Sequence, residues 1–296
     1  MLPADIPMPS IAQALVNACA SGVDRLDAQL LLLQALAKPS AKLGAQRAWL
    51  LAHGEEEMPA LVQPLFEEYV RRRAAGEPLA YITGRKEFFG LALHVDARVL
   101  VPRPDTETLV AWALELLAKL PEKPVAAQYA ALDLGTGSGA IALALKHSMP
   151  KLHVDAVDAS LEALAVARTN AGALGLEIGF SHGSWLNYVS RRYHCIVSNP
   201  PYVAAQDPHL AALVCEPAQA LVSGVDGLDD IRQIVDSASK NLYPGAWLLL
   251  EHGYDQAAAV RTLLNAAGYQ GIASRRDLGG HERCSGGRMP GAIHCG

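Results

Sequence analysis

The sequence predicts an α/β protein: a largely parallel, doubly wound sheet preceded by a small all-helical domain. Three observations carry this. From Tyr129 onward short β-branched or apolar runs alternate with helical stretches, the pattern of a parallel sheet with helices on both faces. A glycine-rich turn, Gly135-Thr136-Gly137-Ser138-Gly139, joins the first such run to the first helix. The run Cys195-Ile196-Val197-Ser198 ends abruptly in Asn199-Pro200-Pro201-Tyr202, where neither proline can donate a ladder hydrogen bond and the chain must leave the sheet.

Residues 1–76 read as helical. Leu26, Leu30, Leu33 and Ala37 recur at helical spacing until Pro39, and Leu61, Leu65, Phe66, Tyr69 and Val70 share one side of a second stretch. On its outer side Glu67 precedes Arg71 and Glu68 precedes Arg72 by four, the favourable order for helix ion pairs. Arg71-Arg72-Arg73 reads as a solvated helix end rather than a nucleic-acid patch. Residues 77–104 alternate and are broken by Gly84 and Gly90, which predicts a β-hairpin linker, and 105–296 form the second domain. Within it Asp105 and Thr106 read as caps of the helix that runs to Pro121, and Glu107 has no assigned role.

The strand candidates are Ala130–Leu134, His153–Val157, the run at Cys195 and Ala246–Leu250, the last entered through a turn at Pro244-Gly245. Ser160 is placed to cap a helix closed by Gly175. Weaker strands follow the helix that ends at Gly268.

Composition narrows the function. A hydrophobic fraction of 51% and a charged fraction of 19% describe a globular protein. The net charge of -5 argues against a protein that holds duplex nucleic acid by counterion release. Five cysteines without a C-x-x-C pair indicate neither a disulfide framework nor a zinc site, so no metal is expected and a reducing cytoplasm is the default. Met1–Ser10 has three prolines and no basic residue, unlike a secretory signal, and no stretch approaches ~20 apolar residues.

Glycines in the turn let a ligand approach the backbone, and Asp158 at the end of the second strand suits two-pronged hydrogen bonding to a ribose diol. A nucleoside cofactor follows. Gly135-x-Gly137-x-x-Ala140 also satisfies the alanine form of the dinucleotide fingerprint, so the turn alone admits a nicotinamide dehydrogenase. Asn199 to Tyr202 decides between them. An Asn carbonyl, the fixed Pro200 carbonyl and a Tyr ring form a clamp for a planar NH2 group, which a methyl-transfer enzyme needs and a hydride-transfer enzyme does not. S-adenosyl-L-methionine, leaving as S-adenosyl-L-homocysteine, satisfies both halves.

The chain resembles the HemK/PrmC family, the N5-glutamine methyltransferases that modify the Gly-Gly-Gln glutamine of peptide chain release factors. The resemblance runs from about Asp27 to Arg283. It rests on Gly76-Glu77-Pro78-Leu79-Ala80-Tyr81-Ile82-Thr83-Gly84, Pro102-Arg103-Pro104-Asp105-Thr106-Glu107, Asp133 to Gly139, Asn199-Pro200-Pro201-Tyr202, Glu216-Pro217 and Asp277-Leu278. It implies a seven-stranded Rossmann-like methyltransferase domain and a helical domain that recognises class 1 release factors. Residue by residue, Gly135, Thr136, Gly137, Ser138 and Gly139 would lie against the cofactor, Asp158 would hold its ribose and Trp185 would border the adenine. Asn199, Pro200, Pro201 and Tyr202 would hold the target amide, with Asn199 also beside the cofactor. His209 reads as part of a loop rather than as a base. N5-glutamine methylation of a ribosomal protein shares this chemistry, and a DNA adenine methyltransferase would use the same clamp. A cofactor-binding module without turnover would have no use for it. After Arg283 the chain departs from the family pattern: the glycines and proline of Cys284–Pro290 are expected to weaken the final strand.

Overall fold

The computed structural model describes residues 8–36, 43–121, 128–187 and 189–291. They fall into two compact units that divide between Gly84 and Arg85, inside the stretch expected to be a linker. Pro39 and Cys295 lie outside the described residues.

The first unit is helical: α1 (Ile11–Ala20), α2 (Arg25–Ala35), α3 (Leu43–Ala52), α4 (Gln63–Ala74) and α5 (Leu79–Thr83). Ser10 and Asp24 cap the first two through Gln13 N and Leu26 N. α2 is the central element, and its Ala28, Leu31 and Leu32 are completely buried. The expected face of α2 is only partly right. Leu26 is exposed, because four consecutive leucines at 30–33 leave the apolar stripe undetermined by spacing alone. Likewise α4 begins at Gln63 with Pro64 in its first turn, leaving Leu61 outside the helix and exposed. Its arginines are all paired: Arg71 with Glu68 at 2.6 Å, Arg72 with Glu77 at 2.5 Å and Arg73 with Asp27 at 2.7 Å. The i,i+4 pairs expected from Glu67 and Glu68 give way to these partners. A further correction concerns Leu79–Thr83, read as strand and found as helix, ended by Gly84 in the left-handed region at φ 69°.

The second unit opens with a single hairpin, β1 (Arg85–Phe88) and β2 (Leu91–His94). Its turn residues Phe89 and Gly90 both have positive φ, 50° and 76°, the handedness that matches strand twist. Glu107, at the start of α6 (Glu107–Ala118), accepts the Phe89 amide at 2.9 Å and fixes this unfavourable turn residue.

Behind it stands a seven-stranded sheet built from β3 (Ala130–Leu134), β4 (His153–Asp158), β5 (Gly179–His182), β6 (Tyr193–Ser198), β7 (Leu242–Glu251), β8 (Gln270–Arg276) and β9 (Glu282–Arg288). The spatial order is β5-β4-β3-β6-β7-β9-β8. All neighbours are parallel except at β9, which runs antiparallel to both β7 and β8. The order reverses between β3 and β6, so the crevice beyond their carboxyl ends is the topological switch point. Helices α7 (Ala140–Ser148), α8 (Leu161–Leu174), α9 (Asp229–Ala238) and α10 (Ala257–Ala266) connect the strands. Ser160 and Gly175 cap α8 as the sequence predicts. Two apolar cores result, one including Leu143, Val154 and Val197, the other including Leu132, Ile196, Ile231 and Leu248.

Two strand expectations need correction. Pro244-Gly245 lies inside β7, where the pairing with β6 jumps from Tyr193–Leu242 to Cys195–Trp247, so the pair forms a bulge and not a preceding turn. The final strand is also not weakened. A Cβ on Gly286 would collide with Leu249 and come 2.8 Å from the Leu248 carbonyl, and one on Gly287 would come 2.7 Å from Tyr269. The glycines are what lets β9 fit between two neighbours. Among the described residues no helix is long and apolar enough to cross a membrane, and no cluster of His, Cys, Asp and Glu could hold a metal ion.

Candidate active site

The glycine turn leaves β3 at Leu134 and enters α7 at Gly139. Gly135, Gly137 and Gly139 have φ of 70°, 55° and 86°, a left-handed succession that other residues resist. Beneath it the fully buried Asp133 uses one carboxylate oxygen twice, accepting from Thr136 Oγ1 at 2.6 Å and from Ala142 N in the first turn of α7 at 3.2 Å. Its other oxygen has no partner, and burial pushes the carboxyl up to about 7. The Ser138 carbonyl accepts from Asn170 at 2.9 Å, and Asn170 also pairs with both backbone groups of His94, fastening the turn to the hairpin.

A cavity of about 260 Å³ opens in front of this turn, lined by Gly135, Gly137, Asp158, Trp185, Asn199 and Pro201 among others. Thr136, Ser138 and Gly139 do not line it; they shape the loop from behind. Asp158 ends β4 with each carboxylate oxygen accepting one amide, Gly137 N at 2.8 Å and Ser160 N at 2.8 Å. Each oxygen keeps a second lone pair for a hydroxyl donor. Burial raises its pKa above the usual carboxylate value. No protein atom lies within 4 Å of where a Cβ on Gly137 would sit, so a side chain there would occupy cavity space. An open glycine wall beside a diol acceptor fits the nucleoside half of S-adenosylmethionine.

Trp185 forms the facing wall. Its φ of 49° is unusual for a bulky residue, and its ring lies 3.2 Å from the Cβ position of Gly135. The indole Nε1 donates to Asp230 Oδ1 at 3.1 Å. Arg98, Val99 and Leu100 close another side with Pro217, Gln219 and Ala220. The buried Glu216 ties these segments together, accepting the Val101 amide at 3.1 Å and the Arg103 guanidinium.

At the end of β6 Asn199 Nδ2 donates to Thr106 Oγ1 at 3.2 Å, which takes up one of its two N–H groups and leaves Oδ1 as that side chain's acceptor. Thr106, expected to cap α6, makes no side-chain cap bond. Tyr202 lies outside the cavity lining, with its hydroxyl 3.4 Å from Glu251 Oε1. Gln256 Nε2 holds the Tyr202 carbonyl at 3.0 Å and so fixes the loop after the prolines. Glu251 ends β7 fully buried, and burial pushes its carboxyl up to about 7. His209 is exposed and pairs with Asp207 at 2.7 Å. Neither Asp230 nor Glu251 is singled out in the sequence reading, and Thr106 reads there only as a helix cap. Glu251 had a usable signal, an acid closing a buried parallel strand as Asp158 does; Asp230 had none, because only the fold brings it to Trp185.

Residues 11–84 match the PrmC N-terminal domain and residues 113–226 the methyltransferase small domain. A release factor glutamine methyltransferase of Xylella fastidiosa strain Temecula1 is 45% identical over 94% of this chain and 98% of its own. That of Burkholderia pseudomallei is 45% identical over 96% and 98%. A methyltransferase from Pyrococcus furiosus shares the fold, with a TM-score of 0.52 at 17% identity over 76% of this chain and 99% of its own. With near-complete coverage at such identity, and both domain models matched in order, the chain belongs to the HemK/PrmC family of S-adenosylmethionine-dependent release factor glutamine methyltransferases.

Proposed function

We propose that this chain methylates the side-chain amide nitrogen, N5, of the glutamine in the Gly-Gly-Gln motif of class 1 peptide chain release factors. The observation that carries the reading is the Asn199–Thr106 hydrogen bond at the cavity wall, which presents an amide acceptor beside a nucleoside-shaped site. The relatives' name supplies the substrate.

S-adenosylmethionine, when bound, supplies an electrophilic methyl on a sulfonium. The chain's own residues do the rest. Asp158 accepts the ribose hydroxyls, Gly135 and Gly137 let the cofactor approach the backbone, and Trp185 borders the adenine. The amide nitrogen of glutamine is a poor nucleophile because its lone pair is delocalised. Asn199 Oδ1 and the Pro200 carbonyl accept its two hydrogens, orient it and stabilise the positive charge that develops on nitrogen. Pro201 keeps that carbonyl rigid, and the Tyr202 ring adds roughly 0.5 to 2 kcal/mol of cation–π stabilisation. Alignment of the two reactants supplies much of the remainder. The helical residues 1–76 recognise the protein substrate, 77–104 join the domains, and the protein works in the cytoplasm, where release factors act.

Labelled S-adenosylmethionine offered with a release factor, its Gln-to-Ala variant, a ribosomal protein and DNA in parallel tests this. Label on the intact release factor alone is expected. Label on the ribosomal protein or on DNA in preference would assign the same clamp to another NH2.

A further inference from the structure

Gln256 does not line the cavity, yet its side chain joins three segments around the amide clamp. It stands between the carboxyl end of β7 and the first turn of α10. Its Oε1 accepts from Gly253 N at 2.8 Å, and its Nε2 donates to the Tyr202 carbonyl at 3.0 Å and to the Asp226 carbonyl at 3.2 Å. A backbone N–H can only donate and a carbonyl can only accept, so these partners admit one orientation of the amide. The Gly253 peptide is itself held. Its carbonyl accepts from Gln256 N at 3.0 Å and from His252 Nδ1 at 2.8 Å.

The segment that Gln256 grips runs on to the Trp185 wall of the cavity. Val203 N donates to the Leu221 carbonyl at 2.8 Å and Ser223 N to the Val203 carbonyl at 3.0 Å, which lays residues 221–223 alongside the chain just after the prolines. Gly227 then packs directly on Tyr202: a Cβ there would come 2.2 Å from the Tyr202 carbonyl oxygen and 2.7 Å from Gln256 Nε2. Three residues on, Asp230 accepts the Trp185 indole N–H, and its own amide donates to Ser223 Oγ at 2.9 Å. Residues 221–230 thus form a strut with the amide clamp at one end and Trp185 at the other.

We infer that Gln256 is a positioning residue: by clasping the Tyr202 carbonyl to this strut it fixes the spacing between the amide acceptors of Asn199 to Tyr202 and the cavity bordered by Trp185, and so aligns the target nitrogen with the methyl donor. This rests on the methyl-transfer reading proposed above. Such spacing matters because a misplacement of about 1 Å can cost on the order of 10²-fold in rate.

The test uses the full-length enzyme with a release factor and measures single-turnover methyl transfer at saturating cofactor, with cofactor affinity from calorimetry. Gln256→Ala should slow transfer by about 10- to 100-fold and leave affinity unchanged within about twofold. Gln256→Glu gives a readout that a merely structural role would not move. An ionised glutamate keeps the acceptor for Gly253 N but sets a carboxylate against two carbonyl oxygens, whereas a protonated one regains a donor. The charged groups nearby are Asp226, paired with Arg232, and Asp255 on the same turn; Asp255 and the two carbonyls push protonation of the introduced group to higher pH. The rate of the glutamate variant relative to the parent should therefore rise about 10-fold as pH falls from about 9 to about 6. Asp133 and Glu251, both raised to about 7, are common to parent and variant and cancel in that ratio.

A Gln256→Ala rate within about twofold of the parent, or a glutamate variant whose relative rate is flat with pH, would overturn the inference. A loss of cofactor affinity as large as the loss of rate would overturn it too, by placing Gln256 with cofactor binding. Should Gln256→Ala not fold, the near-isosteric glutamate variant decides alone. A parent that methylates a different substrate would sink the substrate reading instead, and the same comparisons on that substrate would still judge Gln256.

Discussion

The indole nitrogen of Trp185 donates to Asp230 Oδ1 at 3.1 Å, joining the loop after β5 to the first turn of α9. This bond holds a bulky residue at φ 49°, a conformation that costs of order 1–3 kcal/mol and persists only when its surroundings enforce it. Asp230→Ala should therefore loosen the Trp185 wall of the cavity. Calorimetry is expected to show cofactor affinity about tenfold weaker, equivalent to about 1.4 kcal/mol, with the single-turnover rate at saturating cofactor little changed. A large loss of rate with intact affinity would place Asp230 in the chemical step instead.

Asn199→Ala removes the amide acceptor and leaves the glycine turn, Asp158 and Trp185 of the cavity lining in place. Methyl transfer should slow by on the order of 10² to 10³, by analogy with loss of one transition-state hydrogen bond, while cofactor binding stays near normal. Identical single-turnover rates in parent and variant would show that the clamp does not act through this side chain.

Gly286 is boxed in by Leu249, the Leu248 carbonyl and Trp112 at 3.1 Å. Because backbone and core atoms surround the position, Gly286→Ala should destabilise the fold by about 1–3 kcal/mol through overpacking. Urea unfolding would show a lower midpoint with an unchanged slope. A midpoint equal to the parent's would mean that β9 can shift.

Asp133 carries a pH signature of stability. Its carboxyl lies at about 7 when folded against 3.8 ordinarily, so between those values the folded state holds a proton that the unfolded state has released. Stability contributed by this group is complete below about 4 and falls as pH rises toward 7. Unfolding free energies of the parent, minus those of Asp133→Asn, should decline across that window. A flat difference would show that the side chain does not titrate there.

The sequence made the sheet and its crevice legible because both depend on local chemistry. Glycines that demand positive φ, an acid closing β4 and prolines closing β6 each mark a strand end without reference to anything distant. What escaped the sequence depends on partners far along the chain. Thr106 reads as a helix cap until Asn199, 93 positions away, is seen to claim its hydroxyl. Gly286 and Gly287 read as strand breakers until the crowding from Leu249 and Tyr269 shows why nothing larger fits. Residues 79–83 read as strand for the opposite reason: a five-residue helix is too short for periodicity to declare itself.

The central claim is that the NH2 held by Asn199 to Tyr202 belongs to a protein glutamine. Mass spectrometry of a release factor after incubation with the enzyme and S-adenosylmethionine locates the methyl directly. A single methyl on the side-chain amide of the Gly-Gly-Gln glutamine, absent from the product of Asn199→Ala under single-turnover conditions, is the expected result. A methyl on any other residue, or undiminished transfer to a release factor whose glutamine is replaced by alanine, would contradict it.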